Sequence, residues 1–163
     1  MASISDPFVQ ELLSWRYIAT VATGNDDGSI HMVAVWYLSD GAHVYVATSG
    51  RTRKARNLGS NSKVSLMIDS RDPAASRGIS IAGTAQLLTG AASREWNHKI
   101  HQKYLSATAL ADPQVGPVFA AWDDVTIQIT PLSVIAWDMR EIDRMAFSGA
   151  IQRNPDYLLP LER

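Results

Sequence analysis

A closed or nearly closed β-barrel decorated with helices is predicted by three features of this 163-residue sequence. Six or seven short segments carry strand-like apolar patterning, several alternating apolar and polar residues with the period of a strand that buries one face. Hairpin signals such as Asn25-Asp26-Asp27-Gly28 and Ser39-Asp40-Gly41 separate the first of them. Strands do not alternate with helices, and neither G-x-G-x-x-G nor G-x-x-x-x-G-K-[ST] occurs, so a doubly wound nucleotide-binding sheet is excluded.

Asp6-Pro7 opens a short helix, with Asp as N-cap and Pro at the first helical position. Phe8, Leu12 and Trp15 follow at helical spacing and are expected to face inward. The chain turns strand-like from Tyr17 to Thr23, and His31 to Leu38 reads as a second strand. A third strand, His43 to Thr48, runs into a Ser-Gly turn. Thr52 to Gly59 reads as a brief helix that Gly59 stops. Val64, Leu66 and Ile68 alternate along a strand from Lys63 to Asp69, and Ser70 to Arg77 is a loop containing Asp72-Pro73. Gly78 to Thr89 is a further strand, with Gly83 marking a bend or bulge. Ser93 to Leu105 is the clearest helix, with Trp96, Ile100 and Tyr104 on one side. Ala107 to Trp122 is a looser connection with a short helix before Trp122. Asp124 to Thr130 alternates, Pro131 is expected to end it, and Ser133 to Trp137 is the last strand.

Residues 1–163 read as one domain, since no repeat, low-complexity segment or linker divides them. The tail, 139–163, mixes charges with Tyr157, Leu158, Leu159 and Leu161, and is expected to pack across a second copy or to fray. No apolar run approaches the roughly 20 residues of a membrane span. The N-terminus lacks a basic region and an apolar signal core, so no membrane partner and a cytoplasmic location are expected. The absence of cysteine removes disulfides, thiol nucleophiles and Cys-ligated metals.

Charge is concentrated rather than spread. Four of the six residues from Arg51 to Arg56 are cationic in a chain of formal net charge −1. Nucleic-acid-binding domains usually carry an extended basic face, so nucleic acid is not the expected partner. A tight turn followed by a helix start, with Arg and Lys beside it, suits one phosphate instead. His98 and His101 lie three apart on a helix, but without a third ligand nearby they read as surface positions, and no metal is expected. Asp123-Asp124 reads as a turn or cap, and Trp15, Trp96 and Trp122 as core or interface anchors. His31 and Tyr37 are the only proton-donor candidates, neither with a visible orienting partner, so no catalytic residue is assigned.

Val35-Trp36-Tyr37 before Asp40-Gly41, then Lys54-Ala55-Arg56-Asn57-Leu58, resembles the pyridoxamine 5′-phosphate oxidase-like flavin-binding split-barrel family and its deazaflavin-using relatives. The likeness is clearest from Ile18 to Ile68 and continues through Arg77 to Leu88 and Thr130 to Trp137. It implies a mainly β fold, a split β-barrel of FMN-binding type, and a homodimer with two shared cofactor sites. It implies that the strand through Val33, Ala34, Val35 and Trp36 runs along the flavin, with Thr48 and Ser49 near the ribityl chain. Thr52, Arg53 and Lys54 would hold the terminal phosphate, and Trp137 would cover the ring from the partner. The implied function is hydride transfer between FMN, or coenzyme F-420, and a small organic substrate. A flavin- or tetrapyrrole-binding carrier or sensor without turnover is the alternative. Two departures argue against vitamin B6 oxidation. The Arg-Leu-His-type element that follows the closing Trp in true oxidases is replaced by Asp138-Met139-Arg140, and Gly78 stands where they carry a flavin-contacting Gln.

Overall fold

Seven antiparallel strands form one sheet whose two edges are consecutive in the chain. The computed structural model describes residues 2–72 and 76–159. In chain order the strands are β1 (Ala19–Gly24), β2 (Ile30–Val35), β3 (Tyr37–Ser39), β4 (Val44–Thr48), β5 (Lys63–Asp69), β6 (Arg77–Leu88) and β7 (Val125–Asp138). Their order across the sheet is β2-β1-β5-β6-β7-β4-β3. Only Trp36 separates β2 from β3, so the first and last strands are brought together and the sheet curls into a split barrel. The expected single strand from His31 to Leu38 is therefore two, and its break serves both edges of the sheet.

The helices are α1 (Pro7–Ser14), α2 (Arg53–Ser60), α3 (Gly90–Tyr104), α4 (Ala107–Ala111), α5 (Gly116–Trp122), α6 (Met139–Ala146) and α7 (Ala150–Arg153). Asp6 caps α1 by accepting the Phe8 N–H at 2.9 Å. Its buried face is Val9, Leu12 and Leu13, while Phe8 and Trp15 are only half-buried, a rotation of the expected stripe. Thr52 caps α2 as expected, but Gly59 lies inside that helix, which ends one residue later before Asn61. None of the described helices is long and apolar enough to cross a membrane.

Strand alternation built the core. Val64, Leu66 and Ile68 on β5, Ile79 and Ile81 on β6, and Ile127 and Ile129 on β7 all point into the barrel with Val21, Val44 and Val46. Pro131 does not end the last strand. It pairs with Gly83, and Ala82 pairs with Ser133, so Leu132 is the extra residue of a bulge. A bulge is where a sheet tolerates a missing N–H donor, which is why β7 passes through a proline. A Cβ on Gly83 would lie 2.3 Å from the Thr130 carbonyl oxygen, so only glycine fits opposite this irregularity.

Tyr37 is fully buried, and its hydroxyl donates to the carbonyls of Trp15 (2.9 Å) and Leu12 (3.2 Å) at the end of α1. That makes it a pin between α1 and β3, with no access to a substrate. Lys103 on α3 completes the junction. Its ammonium donates to the Leu13 carbonyl (3.2 Å) and sits 3.9 Å over the Tyr37 ring. Burial, with Arg16 nearby, pulls its pKa from the ordinary 10.5 to about 8. Between those values the unfolded chain binds more protons than the folded one, so stability gained from this residue rises as pH climbs from 8 towards 10. Urea unfolding of the parent and Lys103→Met at pH 7, 8, 9 and 10 is expected to show the parent gaining on the variant above pH 8. A pH-independent difference would contradict this reading.

The loop containing Asp72-Pro73 runs partly through residues 73–75, and Leu161 of the tail also lies outside the described residues. The tail forms α6 and α7, which pack on each other. Buried Asp143 ties them, accepting the N–H groups of Ile151 and Gln152, each at 3.0 Å.

Candidate functional site

A cavity of about 770 Å³ opens where β2 gives way to β3. This lies within the ~300–1,000 Å³ typical of small-molecule sites. One wall is Ile18 with the end of β2, Ala34, Val35 and Trp36. A second is the end of β4 and the basic loop: Ala47, Thr48, Ser49, Arg51, Thr52 and Lys54. The third is α5 and the residues after it, Phe119, Ala121, Trp122, Asp123 and Asp124.

Local chemistry fixes the basic loop. The Thr52 hydroxyl donates to the Ser49 carbonyl (2.8 Å), lies 3.1 Å from Thr48 Oγ1 and accepts the Ala55 N–H at 3.4 Å. Asn57 on α2 donates to Thr23 Oγ1 (3.0 Å) and Asn25 Oδ1 (2.9 Å), holding the helix to the first hairpin. Ala55 and Leu58 face the core, and that sets the phase of α2. Lys54 then points into the cavity, half-buried, with its pKa lowered by burial and partly restored by Asp123. Arg53, one residue earlier, turns outward towards Asp27.

Trp36 is engaged by two intramolecular stacks. Its ring lies 5.0 Å from Tyr104 at an interplanar angle of 3°, and 5.3 Å from Phe119 at 24°. This aromatic series carries α5 against the barrel and gives the cavity an apolar wall. Behind it, His101 is buried, with Nε2 2.8 Å from Asp123 Oδ2. Asn97 donates to the Asp123 carbonyl (2.6 Å) and accepts the Thr126 hydroxyl (2.6 Å), anchoring α3 to the start of β7. His101 is thus no surface position, whereas His98 is exposed beside a smaller cavity of about 360 Å³ behind α5. Among the described residues no group of three or more His, Asp or Glu side chains is placed to hold a metal.

A family model described as pyridoxamine 5′-phosphate oxidase matches residues 5–137. The chain belongs to the pyridoxamine 5′-phosphate oxidase family. Solved structures agree on the fold. A conserved hypothetical protein from Mycobacterium tuberculosis superposes with a TM-score of 0.71 at 22% identity, over 87% of this chain and 88% of its own. An F-420 reductase gives 0.62 at 21% identity, over 77% of this chain and 94% of its own. A FAD-binding protein from Mesorhizobium loti gives 0.59 at 16%, over 79% and 91%. The sequence matches no curated protein.

Seven of the ten residues that the family resemblance singles out line the one cavity: Ala34, Val35, Trp36, Thr48, Ser49, Thr52 and Lys54. Three do not. Val33 packs against the barrel core, because its neighbours on β2 alternate outward. Arg53 faces away for the helical reason given above. Trp137 lies near the far end of β7 from Val125, folded over Gly78. Sequence reasoning expected the short helix before Trp122 and read Asp123-Asp124 as a turn or cap, but missed that both form a wall of the site. The Gly116-Pro117 helix start was a usable signal for α5, and the Ala55–Leu58 spacing could have separated Lys54 from Arg53.

Proposed function

We propose that the protein is a flavin-binding oxidoreductase that uses FMN or coenzyme F-420 with a small organic substrate. The observation that carries this is the meeting of the β2 strand end with the basic loop in one 770 Å³ cavity. A flat ring system needs an apolar wall and a few polar groups, and Ile18, Ala34, Val35 and Phe119 supply the wall. Lys54, Arg51 and the Ser49 hydroxyl stand at the other end, suited to a phosphate. A bound flavin would supply the hydride-transfer chemistry, and the chain would supply position and exclusion of water.

A homodimer with shared sites is part of the proposal. Ile30 and Met32 on β2 and Ile135 on β7 are exposed apolar side chains on strand faces, a pattern that marks interaction surfaces. Trp137, remote from the cavity of its own chain, would then serve the partner's.

Parallel titrations of FMN and coenzyme F-420 into the purified protein, read by calorimetry and visible absorbance, test the proposal. Saturable binding of at least one, followed by steady-state turnover with the reduced cofactor, is expected. Binding without turnover over a broad acceptor panel would make the protein a carrier. Binding of neither would overturn the reading.

A further inference from the structure

The cations of the cavity do not stand free. Asp124 lies beside Arg51, and its Oδ1 accepts the Gly50 N–H at 2.8 Å. That N–H, in the turn before the α2 start, is a donor an incoming anion would otherwise find. Asp123 faces Lys54 and is held in place. Its Oδ2 is 2.8 Å from the buried His101 Nε2, and its carbonyl accepts from Asn97 at 2.6 Å. Asn97 is in turn fixed by Ser93 and Thr126. The phosphate end therefore offers two cations and two carboxylates, a lining close to neutral.

A phosphate ester with one substituent carries about −1.5 to −2 charges at pH 7. With both sides esterified it carries a single charge. The second charge meets no unmatched cation, while losing its hydration in an apolar cavity. We propose that Asp123 and Asp124 make this site selective for a phosphodiester over a phosphomonoester. The inference rests on the flavin-binding reading and refines it: FMN is a monoester, whereas coenzyme F-420 carries a phosphate esterified on both sides. It is a selectivity set by two residues that the family resemblance did not single out.

Three probes with the same ring isolate the effect: riboflavin, FMN, and the monomethyl ester of FMN, each titrated into the full-length protein at pH 8. The methyl ester is expected to bind about 10-fold more tightly than FMN, the scale of one like-charge interaction several ångströms away and largely screened by water. Asp123→Asn and Asp124→Asn, singly and together, should raise FMN affinity by about the same factor and leave riboflavin unchanged. Asp124→Asn lies at the surface and keeps the test valid if the variant at 123 unfolds, which its thermal melt will show. Equal or tighter binding of FMN than of its ester in the parent overturns the inference while leaving the flavin reading intact. A preference for the ester that survives both substitutions overturns the assignment to these carboxylates. Failure of all three probes to bind overturns the flavin reading, and the inference with it.

Discussion

Replacing Lys54 by Ala is expected to lower the affinity for a phosphorylated flavin, and replacing Arg53 by Ala to leave it nearly unchanged. The two residues are neighbours in sequence and equal in charge, so the contrast tests geometry rather than net charge. Lys54 lines the cavity, half-buried. A hydrogen bond to a charged group contributes about 1.5–3 kcal/mol, so its loss corresponds to a roughly 10- to 150-fold weaker Kd. Arg53 is exposed and within electrostatic reach of Asp27 on the first hairpin. At that position its contribution is long-range and screened by salt. Riboflavin, lacking the phosphate, serves as the control and should bind both variants like the parent. Equal losses from the two substitutions would mean that the phosphate does not sit beside Lys54.

Gly78→Ala is expected to destabilise the fold by about 1–3 kcal/mol through overpacking. A Cβ at this position would lie 2.1 Å from Trp137 Cζ2 and 2.7 Å from the Ile68 carbonyl oxygen. Gly78 pairs with Trp137 across β6–β7 and with Asp69 across β5–β6, so neither backbone can retreat without breaking a ladder. Glycine in a strand is itself unfavourable by about 0.5–1 kcal/mol relative to Ala, so any net loss measures the collision directly. Adding Trp137→Ala removes the ring but leaves the carbonyl. The double variant should therefore lose less than the two single losses added together. Denaturant unfolding of the four proteins gives the cycle, and a neutral Gly78→Ala would show that the ring is not packed there.

Much of the barrel was legible because its signals are local. The alternation of Val64, Leu66 and Ile68 states which face is buried, and Gly83 marks the bulge without reference to any partner strand. Asp6 and Thr52 announce helix starts through hydrogen bonds spanning two or three residues. Pro131 misled for the complementary reason. Whether a proline ends a strand depends on what lies across from it, and here that is a glycine nearly 50 positions earlier. Trp36 was read as one residue of a strand, because nothing within the strand says that its two halves pair with opposite edges of the sheet.

By itself the sequence determined the strand-rich class, the basic loop, the helix that follows it and the family. The first three follow from periodicity, capping and composition, which act over a few residues, and the family follows from the likeness of its motifs to known ones. Tertiary structure decided the character of the cavity. The register of β4 on β7 sets Thr48 opposite Val125, and that pairing carries Asp124 to Gly50 across 74 positions of chain. Packing of α3 on β7 brings His101 to Asp123, and the phase of α2 chooses Lys54 over Arg53. Charges on adjacent residues are indistinguishable in a sequence. They separate only when buried neighbours fix which way each side chain points and which distant carboxylate it meets.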